Sequence, residues 1–465
     1  MKKVFEKQSF FSVPKKDLFQ FHERPDAFNL LTPAEEEIEV LSTASTLAPS
    51  DDVVRFVSKF LMFKFRFAMV HTEYEPFSLF VDEQKEGLFQ SWRHEHRFFE
   101  AGWREDPSSC LVDRIEIAHP LLPCFFPFVQ NKLKGLFAFR HQVTARELSK
   151  TSAAGNHSPM KAVIVTGATG LIGSRITEIL LEKGVQVYAF VRNPEKARKT
   201  LPPDAIPIEW DFHTPEKDGW KGILAKADGV IHLAGTPLFE KRWTKGFKKE
   251  MEQSRVLGTK MLVDAIRDSK HRPQVFVSAS ALGIYGTSPG GVVEEESPPA
   301  DDLLARICVN WENEAAKLNQ ENVRTVLMRI GIVLSTRSGA LKELLPLFRG
   351  GLGGTMGYPD RYINWIHIED VARMFVMALF NGKMAGPYNA VGPRPVLNRD
   401  FARAIARAVH RPAIMNMPTS MLKLVIGEAG EYAAGGPQAS SAKIEQAGYE
   451  FFFGSVEAAL DHLLQ

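Results

Sequence analysis

Residues 161–183 read KAVIVTGATGLIGSRITEILLEK. The first six are small, apolar and β-rich, the composition of a strand buried on both faces. From Leu171 onward the apolar residues recur at helical spacing. Three glycines, Gly167, Gly170 and Gly173, stand at the join. Gly167 permits a tight turn, Gly170 lets backbone approach a pyrophosphate, and Gly173 lets the helix pack closely on the sheet. The helix N-terminus then offers unpaired N–H groups to an anion, with Thr169, Leu171 and Ile172 completing the cradle. A GxxGxxG pattern alone is a weak signal, and an ordinary tight turn is the competing reading. Its place between a strand and a helix is what gives it weight.

Working outward, VQVYAFV (185–191), GVIHLAG (229–235), QVFVSAS (274–280) and RTVLMRIGIVL (324–334) are further strand-like runs separated by helical segments. Strands alternating with helices predict a parallel sheet covered on both faces, an α/β Rossmann fold. After the second strand comes Arg192, where an NAD enzyme usually carries Asp or Glu for the ribose 2′-hydroxyl. A guanidinium there would pair with a 2′-phosphate, so NADP(H) is the expected cofactor, with NAD as the alternative. Asp211 is placed to reach an adenine amino group. Leu233, Ala234 and Gly235 end a later strand where small residues let backbone approach the ribose and pyrophosphate.

The chain has 465 residues, long for one domain. Residues 149–159, SKTSAAGNHSP, are small and polar and predict a linker. The expected division is 1–148, the linker 149–159, a dinucleotide-binding domain over 160–410 and a small C-terminal domain over 411–465. A formal net charge of +2 gives no argument for nucleic acid. The three cysteines form no CxxC, which argues against a disulfide framework or a structural zinc site. The apolar stretch 121–139 is broken by Pro123, Pro127, Lys132 and Lys134, so no stable membrane insertion is expected. These features predict a soluble cytoplasmic protein, and a homodimer is compatible with them.

VTGATGLIG, VIHLAG, VSASALGIYG and NWIHIEDVA, in that order, resemble the extended short-chain dehydrogenase/reductase superfamily, the NAD(P)-dependent epimerase/dehydratase group. The stretch from Arg411 onward looks like the small C-terminal lobe of one atypical branch. The resemblance covers about residues 160–465 and implies nicotinamide chemistry. Typical members carry Tyr-x-x-x-Lys on one helix face, the Lys lowering the Tyr pKa for proton transfer. Here the matching helix, LLARICVNWENEAAKL (303–318), puts Cys308 and Glu312 near those places. The atypical branch is similar in lacking the pair. The remaining catalytic candidates are Ser280 (with Ser278 its neighbour), Tyr285 and His367; loop packing for Tyr285 and a structural role for His367 are the competing readings. Cys308 fits a small buried hydrophobe better than a nucleophile. The loop from Arg349 to Gly357 lacks the Lys of a P-loop, and Arg361 and Asn364 are plausible substrate contacts.

The first half carries period-two runs at 65–74, 88–100 and 110–119, then an amphipathic helix from Phe125 to Arg140. FHERPDAFNLLTP, FVDEQKEGLFQSWRHEHRF, LVDRIEIAHPL and LKGLFAFRHQVT resemble the SRPBCC, or START-like, superfamily. That implies an α+β helix-grip domain with a cavity for an apolar ligand. His94 and His96 share a strand face, but two ligands are not a zinc site and no third is in register, so no metal is expected. Two functions compete: an NADP(H)-dependent oxidoreductase or epimerase-like enzyme on a small substrate, and a non-catalytic NADP(H) sensor or ligand carrier.

Overall fold

The computed structural model describes residues 2–464, except 12, 34–38, 51, 61–62, 102–107, 120–121, 153–159, 215–216, 239–240, 289–290, 416–417, 419, 421 and 423–426. The chain divides into two compact units, Met1–His157 and Ser158–Leu464.

The first unit is one antiparallel sheet with helices on it. β1 (Lys2–Phe11) is followed by α1 (Lys15–His22) and α2 (Ala27–Leu30). Six strands come next: β2 (Glu39–Ser42), β3 (Val53–Phe60), β4 (Phe63–Glu75), β5 (Leu79–Glu86), β6 (Ser91–Ala101) and β7 (Ser108–Ala118). The strand order is β1-β7-β6-β5-β4-β3-β2. α3 runs over Leu122–Ser152, longer than its apolar stripe predicted, and takes in the first residues of the expected linker. Phe137, His141, Thr144 and Leu148 are all buried along it. Two of those four are polar, so hydrophobic periodicity does not reveal that the stripe continues. The rest of the expected linker lies outside the described residues. Val129, Leu133 and Phe137 pack with Phe5, Ile115 and Ile117, and α1 adds Leu18, Phe19 and Phe21 to a second cluster around Phe80 and Phe98.

The register corrects one expectation. Asp82 on β5 is the direct partner of His94 on β6, and His71 on β4 is the partner of Asp82. A third ligand-type side chain therefore does lie in register with the histidine pair, supplied by the neighbouring strand.

The second unit begins with β8 (Ala162–Thr166), α4 (Leu171–Glu182), β9 (Gln186–Val191), α5 (Pro194–Ala197) and β10 (Ile206–Glu209). It continues through α6 (Lys221–Leu224), β11 (Gly229–His232), α7 (Lys245–Asp268), β12 (Val275–Ala281), β13 (Val292–Val293), α8 (Leu303–Ala316) and β14 (Arg324–Ile330). The main sheet is parallel throughout, in the order β10-β9-β8-β11-β12-β14 and then the later strand Gly386–Ala390, β18. The chain works outward from β8 in one direction and from β11 in the other. The crevice between their C-terminal ends is the topological switch point where such sheets bind ligands.

The run 324–334 is not one strand. Gly331 divides it, and β15 (Ile332–Leu334) leaves the main sheet. A Cβ on Gly331 would stand 2.3 Å from the Asn364 carbonyl oxygen, so backbone meets backbone there. Then follow α9 (Ala340–Arg349), β16 (Tyr362–Ile363), β17 (Trp365–His367), α10 (Ile368–Phe380), β18 (Gly386–Ala390), β19 (Val396–Leu397), α11 (Asn398–Ala408) and β20 (Gln438–Ala439). Phe453, Val456 and Leu460, the last two on the C-terminal helix Val456–Leu464, share a core with Leu341, Phe348, Trp365, Phe401 and Ile405. Among the described residues no helix is long and apolar enough to cross a membrane.

Candidate functional site

The turn from β8 into α4 leaves no room for a side chain at Gly173 and little at Gly167. Gly167 has φ +67°, and a Cβ there would sit 3.1 Å from Leu233 C and Ala234 N. A Cβ on Gly173 would fall 2.3 Å from the Gly167 carbonyl oxygen and 2.9 Å from Ala168 Cα. Gly170 N–H donates to Gly167 O at 2.9 Å, and the Gly170 N-cap leaves α4 without a side-chain cap. The first amides of a helix have no acceptor within it. The partial positive charge at that end and the glycine-lined turn together fit a pyrophosphate. Thr169 is exposed and Leu171 and Ile172 are half-buried around the same turn.

Two polar residues inside the strands hold the cradle's walls together, and the sequence reading passed over both. Thr166 Oγ1 accepts from the N–H groups of Leu233 and Ala234, each at 3.1 Å. It also lies 2.7 Å from His232 Nδ1, whose Nε2 lies 3.0 Å from Thr259 Oγ1. Burial pushes His232 down to about 3, so it is neutral and serves as a fixed hydrogen-bond link. A polar residue in an apolar run was the available signal.

α4 is held from behind. Arg175 donates Nε and Nη2 to the two oxygens of Glu369 at 2.8 and 3.1 Å, tying α4 to α10. Glu369 also accepts from Arg373 Nε at 2.8 Å. Burial alone would raise Glu369, but Arg175 and Arg373 outweigh it and bring the carboxyl down to about 2.

Arg192 is exposed just past β9 and makes no ion pair with another described residue. Asn193 beside it caps α5, accepting from Lys196 N. Asp211 follows β10 and accepts from His213 N at 3.0 Å. Gly235 lies beside the Arg255 side chain, with 3.5 Å from its would-be Cβ to the nearest guanidinium carbon.

Ser280 and Tyr285, reached separately in the sequence, belong to one buried chain of hydrogen bonds. Ser280 Oγ donates to Glu312 Oε1 at 2.6 Å. Glu312 accepts Arg329 Nε and Nη2 at 2.9 and 2.8 Å, one on each oxygen. Arg329 Nη1 donates to the Tyr285 hydroxyl and to the Glu295 carbonyl, both at 2.8 Å. Tyr285 donates onward to Asn389 Oδ1 at 2.8 Å. Burial raises the Tyr285 hydroxyl to about 12 despite Arg329. Ser278 is buried and donates to the Ala279 carbonyl. Cys308, in the Tyr place, packs with Ile284 and Tyr285; burial, then Glu312, pushes its thiol up to about 12, the opposite of an activated nucleophile.

His367 stands apart from this chain. Its Nδ1 accepts from Glu369 N at 3.0 Å, capping α10, and its Nε2 lies 3.1 Å from His462 Nδ1. Its ring packs tilted against Phe453 with centroids 3.8 Å apart, and the residue is 1% exposed. Burial, then His462, holds it well below the usual imidazole range. This corrects the acid–base expectation: the lone pair is spent on a helix cap inside a packed core. Asn364 donates to the Pro437 carbonyl and accepts from Ala439 N, tying the C-terminal segment in place. Arg361 stacks on Tyr358 at 3.7 Å. In the glycine-dense loop, the Gly353 carbonyl accepts from Ile414 and Met415 N–H groups, so the loop seats the following segment.

Residues 163–392 match the NAD dependent epimerase/dehydratase family and residues 417–463 match a domain of unknown function, DUF1731. The chain is 34% identical over 305 residues to the epimerase family protein SDR39U1 homolog, chloroplastic, of Arabidopsis thaliana, covering 65% of this chain and 86% of that one. It is 33% identical over 305 residues to the epimerase family protein YfhF of Bacillus subtilis, covering 65% and 97%. The solved structure of human epimerase family protein SDR39U1 (isoform 2) with NADPH is similar at TM-score 0.58 and 29% identity, over 65% of this chain and 99% of that one. A nucleoside-diphosphate sugar epimerase from Corynebacterium glutamicum is similar at TM-score 0.56 and 26% identity, over 99% of this chain and 90% of that one. Such identity across nearly the full length of the relatives, on a parallel sheet carrying the glycine turn, shows that the chain belongs to the NAD-dependent epimerase/dehydratase family, in a branch with a DUF1731 C-terminal domain.

Proposed function

We propose that the second unit is an NADP(H)-dependent oxidoreductase or epimerase-like enzyme acting on a small substrate at the C-terminal edge of the parallel sheet. The observation that carries this is the glycine turn ahead of α4, where a Cβ on Gly173 would collide with the backbone of Gly167 and Ala168 and one on Gly167 would press on Leu233 and Ala234. Thr169, Leu171 and Ile172 offer backbone around the pyrophosphate, Arg192 takes the 2′-phosphate, Asp211 the adenine, and Leu233–Gly235 the ribose side. The human SDR39U1 structure, which contains NADPH, supports NADP(H); NAD is the lesser alternative.

The bound nicotinamide would supply hydride transfer. The chain's own residues handle the proton. Ser280 has given its proton to a hydrogen bond with Glu312 and keeps acceptor capacity on oxygen. A substrate hydroxyl that donates to Ser280 can lose its proton there as the Ser280 proton passes to Glu312. Arg329 and Tyr285 are positioning residues: they fix Glu312 in the place where typical relatives have Lys. Steady-state assays on a panel of carbonyl compounds and nucleoside-diphosphate sugars test this. Ser280→Ala and Glu312→Gln are each expected to lower kcat about 10²- to 10³-fold with NADPH affinity kept. Turnover that survives both substitutions overturns the relay.

The closed Ser280–Glu312–Arg329 chain also favours a second reading, an NADP(H)-binding sensor, in which NADPH binds and nothing on the panel turns over.

For the first unit we infer a helix-grip, START-like ligand-binding role. Its support is the antiparallel sheet under one long helix and a cavity of about 120 Å³. Phe28, Leu31, Val54 and Met69 line it together with Arg140, His22, His71 and His96, a mixed wall that suits a ligand with an apolar body and a polar or anionic head.

A further inference from the structure

Most of the histidines and carboxylates of the first unit's interior converge on one place. His94 and His96 are two apart on β6 and therefore point to the same face, where they are 4% and 7% exposed. Asp82 faces His94 across the β5–β6 ladder, and Asp113 faces His96 across the β6–β7 ladder. Antiparallel pairing thus assembles four ligand-type side chains from three adjacent strands.

We propose that the first unit binds one divalent transition-metal ion on His94 Nδ1, His96 Nε2 and Asp82 Oδ2, with an open coordination position toward the cavity. The donor spacing is right. Asp82 Oδ2 lies 3.6 Å from His94 Nδ1 and 3.2 Å from His96 Nε2. A tetrahedral ion with bonds of about 2.0–2.1 Å holds its ligand atoms roughly 3.3 Å apart. All three donor atoms fall within 4.8 Å of one another.

The surroundings are those of a ligand set rather than of isolated buried histidines. Metal-bound imidazoles are oriented by a carboxylate on their other nitrogen. Here one oxygen of Asp113 does this for both: Oδ1 lies 2.9 Å from His94 Nε2 and 2.6 Å from His96 Nδ1. Asp113 is itself 2% exposed, and its other oxygen faces His141 Nε2, whose Nδ1 lies 2.6 Å from Ser9 Oγ. The free oxygen of Asp82 lies 2.7 Å from His71 Nδ1. Hydrogen bonds join His94 and His141 to Asp113 and His96 to Asp82, yet they leave two ring nitrogens over. His71 Nδ1 and His96 Nδ1 are buried close to carboxylate oxygens yet off the line of a hydrogen bond. Buried polar atoms left this way are uncommon without a reason.

The cavity decides the kind of site. His71, Asp82 and His96 line it together with His22, Phe80 and Arg140. Closed structural zinc sites use four protein ligands, whereas three ligands beside a cavity leave a position for water or a ligand group. Two histidines and one carboxylate suit Zn(II), and equally Fe(II) with open positions. Arg140 at the cavity wall favours an anionic ligand group near that position. The site is independent of the nicotinamide reading, since no residue of the second unit takes part.

Untagged full-length protein, stripped with chelator, is titrated with Co(II) and then Zn(II) at neutral pH. The expected result is uptake of one Co(II) per chain with visible d–d bands, displaced by one equivalent of Zn(II). Asp82→Asn and His96→Gln are each expected to weaken uptake by at least about 100-fold, and Asp113→Asn by about 10- to 100-fold. NADPH binding, unchanged in every variant, reports that the rest of the chain is intact. If a variant fails to fold, the stoichiometry and spectrum of the wild-type chain still decide. Absence of uptake by that chain, or uptake that persists in Asp82→Asn/His96→Gln, overturns the proposal and leaves a metal-free charge network.

Discussion

Replacing Gly173 by Ala adds a single methyl group, yet it reaches the centre of the proposed cofactor site. The new Cβ would stand 2.3 Å from the Gly167 carbonyl oxygen and 2.9 Å from Ala168 Cα. Both obstacles are backbone, so no side-chain rotation can relieve them. Ordinary contact begins near 3.4 Å, so the turn must retreat from α4 by about 1 Å. Misplacement on that scale is worth about 10²-fold where groups must be held in register with a ligand. NADPH affinity should therefore fall by about 30- to 100-fold in fluorescence or calorimetric titration. Gly184→Ala is the matched control. Gly184 ends α4 with φ +73° and nothing within 4 Å of its would-be Cβ. That substitution should cost about 1 kcal/mol of stability through its left-handed backbone and leave NADPH affinity alone. A Gly173→Ala protein that binds NADPH within twofold of the wild type would show that the pyrophosphate does not rest on this turn.

Glu312→Ala leaves Arg329, with a side chain 7% exposed, without its carboxylate partner. Denaturant unfolding of the second unit should show a loss of about 3–5 kcal/mol, and Glu312→Gln a smaller one. Asp370 is buried, and desolvation raises its carboxyl to about 7 although the Phe452 N–H and the Tyr449 hydroxyl donate to it. The folded pKa lies above the unfolded one, so this contribution to stability is complete below about pH 4 and is lost as pH rises through 7. Asp370→Asn should flatten that decline in unfolding measured from pH 4 to 8; an identical pH profile for both proteins contradicts the assignment. His232, pushed down to about 3 by burial, works the other way. Its contribution is present above about pH 6.5 and is lost as pH falls through 3, so His232→Gln should reduce the acid lability seen in the same titration.

The parts of this molecule that could be read from sequence are the local ones. The strand, three glycines and helix of residues 161–183 lie in one continuous segment, and each glycine's role follows from the turn itself. Arg192 follows from its position at a strand end. What the sequence concealed depends on pairing between distant segments. Glu312 and Arg329 sit on a helix and a strand that only the packed sheet brings together, so Glu312 was legible as a missing lysine and not as the partner of Ser280. Thr166 and His232 read as strand composition until the parallel register set them opposite each other. Asp82 joins His94 and His96 through cross-strand register, which no single strand reveals. His367 failed for the converse reason: a histidine ahead of an acidic first turn resembles an acid–base pair, and here it is a helix cap.

The proposed cofactor site is an anion cradle at the start of α4 with Arg192 nearby in sequence, just past β9. Calorimetric titration of NADPH and NADH into the wild-type chain and into Arg192→Ala tests it most directly. A charge-assisted contact of about 1.5–3 kcal/mol predicts that the wild type prefers NADPH by roughly 10- to 100-fold and that Arg192→Ala erases the preference without weakening NADH. No heat with either nucleotide, or a preference untouched by the substitution, would contradict it.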